Sequence, residues 1–305
     1  MGNWMEGRTL AKQIREKVGS EVSQFLKNKN QSPGLAGILV GENKASKIYL
    51  GIKEKHSRRL NIRSEIIHLP ETTEAASLKS KIQELNQRED VDGILIQLPL
   101  PSSFDTHDIL TTMKPEKDVD GFHPFSLGNL LMDEEGFRPC TPLGIMELLK
   151  YYNIPIEGQK VVVIGRSLIV GKPLASLITN DNGTVTLCHS RTKELSRVAA
   201  EADILVAAIG RGAYVTPEFV KEGAVVVDVG QNSISDKEKV KEYFGDNEKR
   251  ERDLEKKGYT LIGDVHPQVI HKARYLTPVP GGVGPLTVAM LMKNTLESFK
   301  KRRGL

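Results

Sequence analysis

The chain has 305 residues, enough for about two domains. Hydrophobic residues make up 39% and charged residues 27%, the balance of a folded globular protein. A formal net charge of +4 is compatible with anionic ligands but too small for a nucleic-acid footprint, and no apolar run is long enough to span a bilayer.

The opening segment MGNWMEGRTL lacks the apolar core of a secretory signal, and Glu6 stands where a myristoylation signal carries Ser or Thr. The two cysteines, Cys140 and Cys188, form no paired motif and fit a reducing compartment. A cytoplasmic protein is the expectation. Leu10, Ile14, Val18, Val22 and Leu26 recur at helical spacing and predict an amphipathic first helix. GLAGILVG (34–41) is then a buried strand, and Ser46 is placed to cap a helix carrying Tyr49, Ile52 and Lys53. IRSEIIHL (62–69) fits a second strand, residues 72–85 a helix opened by a Thr cap, and VDGILIQLPLP (91–101) a third strand stopped by two prolines. This alternation predicts a parallel sheet covered by helices.

A Pro/Gly-punctuated stretch from Lys114 to Pro142 holds the expected domain boundary, followed by a helix over 142–152. The second unit offers five strand candidates: 160–165, 183–188, 203–210, 224–230 and 259–264. Thr216-Pro217 has the cap and first-turn proline of a helix start. Residues 236–257 are a charged run with few apolar positions, expected to be a solvated helix or surface excursion. The chain ends on a helix with Lys and Arg in its last turn.

Strand KVVVIG runs into Arg166-Ser167-Leu-Ile-Val-Gly171. Such a glycine turn can aim backbone N–H groups at a pyrophosphate, although the spacing also suits a plain strand–helix turn. The next strand ends in His189-Ser190-Arg191-Thr192 with no acid for a ribose 2′-hydroxyl. Ser190 and Arg191, joined by Arg166, suit a 2′-phosphate, so NADP is favoured over NAD. A solvated arginine and a Ser190 helix cap are the alternatives. In the first unit, Tyr49 and Lys53 share one helix face at i,i+4, and Gly51 between them suggests a close-packed neighbour. Nearby Lys47, Lys55, Arg58 and Arg59 would tend to lower a lysine pKa, or simply form a solvated basic face. Gln97 sits at the carboxyl end of the third strand, where open α/β sheets place ligands. Asp118 and Asp120 in DVDG form a turn as a bare pattern, and the histidines show no metal-ligand spacing.

Six segments carry a resemblance: ASKIYLGIKEK, DGILIQLPLP, PEKDVDGFHP, RPCTPLG, GRSLIVGKP and TPVPGGVGPLTVAML. In this order and spacing the chain resembles the FolD-type methylenetetrahydrofolate dehydrogenase/cyclohydrolase family over nearly its whole length. The resemblance implies two α/β domains: a folate-binding catalytic domain over 1–140, onto which helix 285–303 packs back, and a Rossmann-like NADP-binding domain over 141–284. It implies NADP-dependent oxidation of 5,10-methylenetetrahydrofolate, hydrolysis of the methenyl product to 10-formyltetrahydrofolate, and a homodimer. By motif position Lys53 is the general acid/base of hydrolysis, Gln97 holds and tunes it, and Asp120 anchors the pteridine. Tyr49, Ile96, Leu98, Pro280, Gly281, Gly282, Val283 and Gly284 line the folate site. Gly165, Arg166, Ser167, Ser190 and Arg191 hold the cofactor. Two departures stand out: Gln231 replaces the family's hydrophobic cofactor contact, and the stretch 232–258 is longer than usual. A monofunctional dehydrogenase and a non-catalytic binding module are the competing functions. Intact Tyr49, Lys53, Gln97 and Asp120 argue against the second.

Overall fold

In the computed structural model, which describes residues 2–305, the chain divides into two compact units. One is Ala11–Cys140 with Thr287–Leu305; the other is Thr141–Leu286 with the leading residues up to Leu10. The chain begins β1 (Asn3–Trp4), α1 (Arg8–Lys29), β2 (Gly34–Val40), α2 (Lys44–Arg59), β3 (Arg63–Leu69), α3 (Ala75–Gln87) and β4 (Gly93–Ile96). It continues α4 (Thr106–Thr111), α5 (Pro124–Leu131), α6 (Cys140–Tyr151), β5 (Lys160–Ile164), α7 (Gly171–Asn180), β6 (Thr184–Cys188), α8 (Leu195–Ala199), β7 (Ile204–Ala207) and β8 (Val225–Asp228). The last elements are β9 (Asn232–Ile234), α9 (Lys237–Phe244), α10 (Glu248–Lys257), β10 (Thr260–Ile262), β11 (Tyr275–Leu276) and α11 (Val283–Arg303).

In the first unit β2 is central and runs parallel to β3 on one side and β4 on the other. Its continuous apolar sequence follows from burial of all its residues, whereas edge strand β3 alternates. One face of the sheet packs Ala36, Ile38, Val40, Ile94 and Ile96 against Leu78, Ile82 and Leu85 of α3. α1 buries Ala11, Val18 and Val22; Leu26 is exposed, and Phe25 meets Phe299 of α11 edge-on at 5.4 Å. Both expected caps differ. Asn43, not Ser46, caps α2, accepting the Ser46 N–H at 3.0 Å. α3 starts after Glu74 with no side-chain cap.

α11 closes this unit through polar contacts. Ser298 Oγ donates to the carbonyls of Asp92 (2.6 Å) and Glu116 (2.7 Å). Arg302 reaches the Val91 carbonyl at 2.8 Å and the buried Asp92 carboxylate at 2.7 Å. Asp92 also accepts the Gly34 N–H at 2.8 Å, so one carboxylate ties the end of α11 to the start of β2.

In the second unit six parallel strands lie in the order β1-β11-β8-β7-β5-β6. The leading residues group here because β1 adds to β11, with Asn3 opposite Tyr275 and Trp4 opposite Leu276. The strand expected over 259–264 is not part of this sheet: β10 pairs antiparallel with β9. Thr216-Pro217 begins only a short 3₁₀ turn, and Thr216 Oγ1 is buried without a hydrogen-bond partner. The charged run folds as α9 and α10, which bury Val240 and Leu254.

Lys117 is fully buried, and its ammonium donates to the carbonyls of Leu85 (2.8 Å) and Arg88 (2.7 Å) at the end of α3. Burial lowers its pKa to about 8 from the ordinary 10.5. Between these values the unfolded chain holds more proton, so this group makes stability rise with pH across that window. In urea titrations from about pH 7.5 to about pH 10, the native protein should gain stability relative to Lys117→Met. A pH-independent gap would show that Lys117 does not titrate on unfolding.

Candidate active site and nucleotide-binding turn

Lys53 lies on the buried stripe of α2 with Leu50 and Ser57, and only 6% of the residue is exposed. Ser57 Oγ donates back to the Lys53 carbonyl at 3.0 Å. A buried ammonium needs acceptors, and two are supplied. Lys53 Nζ donates to Gln97 Oε1 at 3.3 Å and lies 3.9 Å from Asp120 Oδ2. Gln97 follows the end of β4, held by its N–H on the Ile38 carbonyl at 2.9 Å. Its Nε2 donates to the Leu98 carbonyl at 2.8 Å, which fixes Oε1 toward the lysine. Of the surrounding cations, Lys47 pairs with Glu42 and Arg58 with Glu54. Gly51 faces open space, so close packing does not explain that glycine. Tyr49 is half-buried on α2, Leu98 is half-buried, and the Ile96 side chain belongs to the apolar core.

The two aspartates of DVDG have different surroundings. Asp118 accepts from the N–H groups of Gly121, Phe122 and His123 and from Ser126 Oγ at 2.8–3.1 Å. That set winds the turn and carries Gly121 at a φ of 77°, where a side chain would collide with the Arg138 carbonyl carbon at 2.5 Å. Asp120, also buried, faces Lys53 instead. Residue Val119 between them is pinned from α11: Asn294 Nδ2 donates to its carbonyl at 2.8 Å. Cys140 Sγ donates to the same carbonyl at 3.4 Å, and burial, then the Asp120 charge, pushes its thiol pKa well up. Asn294 had no sequence signal beyond being a polar residue in an apolar helix.

In the second unit β5 is followed by Gly165, whose φ is 128° and whose added Cβ would lie 2.2 Å from the Ala208 carbonyl oxygen. A Cβ at Gly171 would lie 1.8 Å from the Gly165 carbonyl oxygen. Both glycines are therefore fixed by close backbone approach where β5 turns into α7. Ser167 Oγ accepts from the N–H groups of Val170 (3.2 Å) and Gly171 (3.4 Å). Arg166 and Ser167 are exposed on this turn, as are Ser190 and Arg191 after β6. Ser190 caps no helix, since α8 starts five residues later, after Glu194. The chain's winding reverses at β5, between β6 and β7, the position where parallel sheets of this kind bind nucleotides.

Two aspartates that the sequence reading passed over organise the same sheet edge. Asp264 accepts from the N–H groups of Ile209, Gly210 and Arg211 and from Asn232 Nδ2. Asp228, ending β8, accepts from the N–H groups of Gly230, Asp264 and Val265. Burial pushes the Asp228 carboxyl up to about 7 against those donors. An acid at the end of an apolar strand was the available signal. Gln231 follows as an exposed residue. Pro280 is exposed, Gly281, Gly282 and Val283 are buried, and Gly284 is half-buried where α11 begins. No helix among the described residues is long and apolar enough to cross a membrane.

Fold and site together define a class: an α/β protein with a parallel nucleotide-binding type of sheet in one unit and a buried lysine, met by an amide and a carboxylate, in the other. Residues 5–120 match the catalytic-domain model of tetrahydrofolate dehydrogenase/cyclohydrolase, and residues 139–303 match its NAD(P)-binding-domain model. The bifunctional protein FolD of Koribacter versatilis is 51% identical over 98% of this chain and 97% of its own length. The crystal structure of the bifunctional FolD from Campylobacter jejuni is 41% identical, with a TM-score of 0.89 over 99% of this chain and all of that one. The FolD of Trypanosoma brucei, solved with NADP cofactor and inhibitor, is 35% identical with a TM-score of 0.90, covering 100% of this chain and 99% of that one. The chain belongs to the tetrahydrofolate dehydrogenase/cyclohydrolase family.

The two aspartates should separate by experiment. Asp118→Ala strands four donors and should cost about 2–4 kcal/mol of unfolding free energy. Asp120→Asn should stay within about 1 kcal/mol of the native protein while losing activity. Equal destabilisation in urea titrations would contradict this division.

Proposed function

We propose that this chain oxidises 5,10-methylenetetrahydrofolate to the 5,10-methenyl form with NADP and hydrolyses that product to 10-formyltetrahydrofolate. The observation that carries the reading is the buried set of Lys53, Gln97 and Asp120 in a member of this family. NADP, when bound, supplies the hydride acceptor for the first step, whose main demand on a protein is orientation. Hydrolysis demands proton movement. Water adds to the methenyl carbon, the bond from that carbon to the ring nitrogen breaks, and a proton is released overall.

Lys53 moves the proton at the water and the departing nitrogen. Gln97 holds the ammonium through Oε1. Asp120 accepts from the pteridine N–H groups, since its turn is already wound by Asp118. Tyr49 and Leu98, the backbone at Ile96, and the segment Pro280, Gly281, Gly282, Val283 and Gly284 contact the folate. The close backbone approach at Gly165 and Gly171 leaves a side-chain-free cradle suited to a pyrophosphate. Gly165, Ser167, Ser190 and Gln231 border the cofactor, and Arg166 and Arg191 take its 2′-phosphate. A domain split at 140/141, a cytoplasmic setting and a homodimer complete the proposal, the setting resting on the two unpaired cysteines and the homodimer on family resemblance.

Purified protein given methylenetetrahydrofolate and NADP should form reduced cofactor without accumulating methenyl product. Accumulation would leave a monofunctional dehydrogenase, and no reduction of either NADP or NAD would sink the dehydrogenase reading. Lys53→Met should abolish hydrolysis of supplied methenyltetrahydrofolate, and full hydrolysis would remove Lys53 from its role. Arg166→Ala and Arg191→Ala should each raise KM for NADP about tenfold or more with little change for NAD. Equal effects on both cofactors would sink the phosphate clamp.

A further inference from the structure

The long segment between β9 and β10 has no role in the chemistry above. Its two helices bring one side chain to a place that matters. Asn247 caps α10 by accepting the Arg250 N–H at 3.2 Å, which sets Arg250 in the first turn. The Arg250 guanidinium lies over the Phe244 ring of α9, 3.5 Å from its centroid. From there it forks to two carbonyls. Nη1 donates to Leu261 of β10, and Nη2 donates to Val279 at 2.8 Å. Val279 immediately precedes Pro280, the first residue of the segment assigned to folate.

That segment has few other restraints. Gly7 N–H donates to the Gly281 carbonyl at 3.0 Å, Arg8 Nη2 reaches the Pro280 carbonyl at 3.4 Å, and Gly282 N–H closes on the Pro278 carbonyl at 2.8 Å. With two glycines in its middle, its conformation is set by backbone bonds rather than side-chain packing. On the side facing α9 and α10 it borders a cavity of about 460 Å³, lined by Tyr243, Phe244, Arg250, Pro278, Val279 and Pro280 among others. Packing is thus incomplete on that side, and the Arg250 fork is a discrete tie across it. Arginine suits the position because its planar donors hold two carbonyls in one geometry while its face stacks on an aromatic ring.

We infer that Arg250 is a positioning residue for the folate step: α9 and α10 deliver it to the Val279 carbonyl and so hold the Pro280–Gly284 segment in its substrate-binding conformation. The inference rests on the assignment of that segment to folate.

The test uses the full-length enzyme in both assays. Arg250→Met should raise KM for methylenetetrahydrofolate in the dehydrogenase assay and KM for methenyltetrahydrofolate in the cyclohydrolase assay, each about five- to tenfold. KM for NADP and both kcat values should stay within about twofold, the pattern of lost uniform binding. Arg250→Lys, which keeps the charge but not the planar fork, should fall in between. Phe244→Leu, which removes the stacking ring and keeps the arginine, should shift the folate KM values in the same direction and decides the matter if Arg250→Met does not fold. Gly281→Ala distorts the segment directly, since Gly281 has a φ of 127° and an added Cβ would meet the Arg8 guanidinium at 2.9 Å. If Gly281→Ala raises the folate KM while the folded Arg250 and Phe244 variants do not, the inference is overturned and the folate assignment stands. If Gly281→Ala leaves folate KM unchanged, the assignment falls and the inference with it. An equal rise in KM for NADP would make Arg250 a general structural residue and also overturn the inference.

Discussion

A buried ammonium is tolerated only where acceptors meet it, and Lys53 imposes that demand on everything around it. Its two acceptors come from separate parts of the same unit. Gln97 is placed by the end of β4, with its amide oriented by its own neighbour's carbonyl. Asp120 is placed by a turn that Asp118 winds and that Asn294 of α11 pins at Val119. The return of the terminal helix to this unit therefore has a chemical meaning as well as a packing one. α11 covers apolar surface, and it also supplies the donor that fixes the carbonyl between the two aspartates. Ser298 and Arg302, one and two turns further along, tie the same helix to the Asp92 region. Lys53, Gln97 and Asp120 are held by this frame rather than by one another alone.

The second unit applies the same device without the cation. Asp228 and Asp264 each gather backbone N–H groups from loops at the carboxyl ends of the strands. Burial disfavours the charged form of Asp228, and its backbone donors favour it. For Asp118 and Asp228 burial prevails, and both carboxyls are raised above the ordinary range. Such groups resemble catalytic acids when judged by burial alone. Their partners identify them as loop organisers, because their oxygens are taken up by backbone donors. Asp120 differs in facing an ammonium instead of a set of backbone donors.

The strands were legible where burial on both faces demanded unbroken apolar runs, as in GLAGILV of β2 and KVVVI of β5. β10 shares that composition but pairs with β9, and a three-residue run cannot announce its partner. β1 and β11, two residues each, carry no periodicity at all. The glycine turn after β5 was visible as a pattern, and only coordinates distinguish Gly165 and Gly171, fixed by backbone contact, from Gly51, which touches nothing. Asp118 and Asp120 were equally visible and mutually indistinguishable, since a turn former and a lysine-facing acid have the same side chain. Lys53 lay among surface cations in sequence; its burial comes from the one-turn spacing that puts it on the stripe of Leu50 and Ser57.

The charged run from 236 to 257 shows why composition misleads about short helices. A helix of eight or ten residues needs only a narrow contact to dock, so one fully buried residue each, Val240 and Leu254, suffices while most of the charged positions stay solvated. Charge density then says little about whether a segment is anchored. Arg250 belongs by type to the solvated face, yet its stem and guanidinium are partly buried against Phe244 and two carbonyls. A carbonyl acceptor leaves no mark in a sequence, so a cation that binds backbone is invisible beside one that binds water. The information lies instead in the cap: Asn247 fixes the phase of α10, and the phase decides which of its many charges points inward. A segment dense in charge can thus carry a side chain that binds the backbone of a loop distant in sequence.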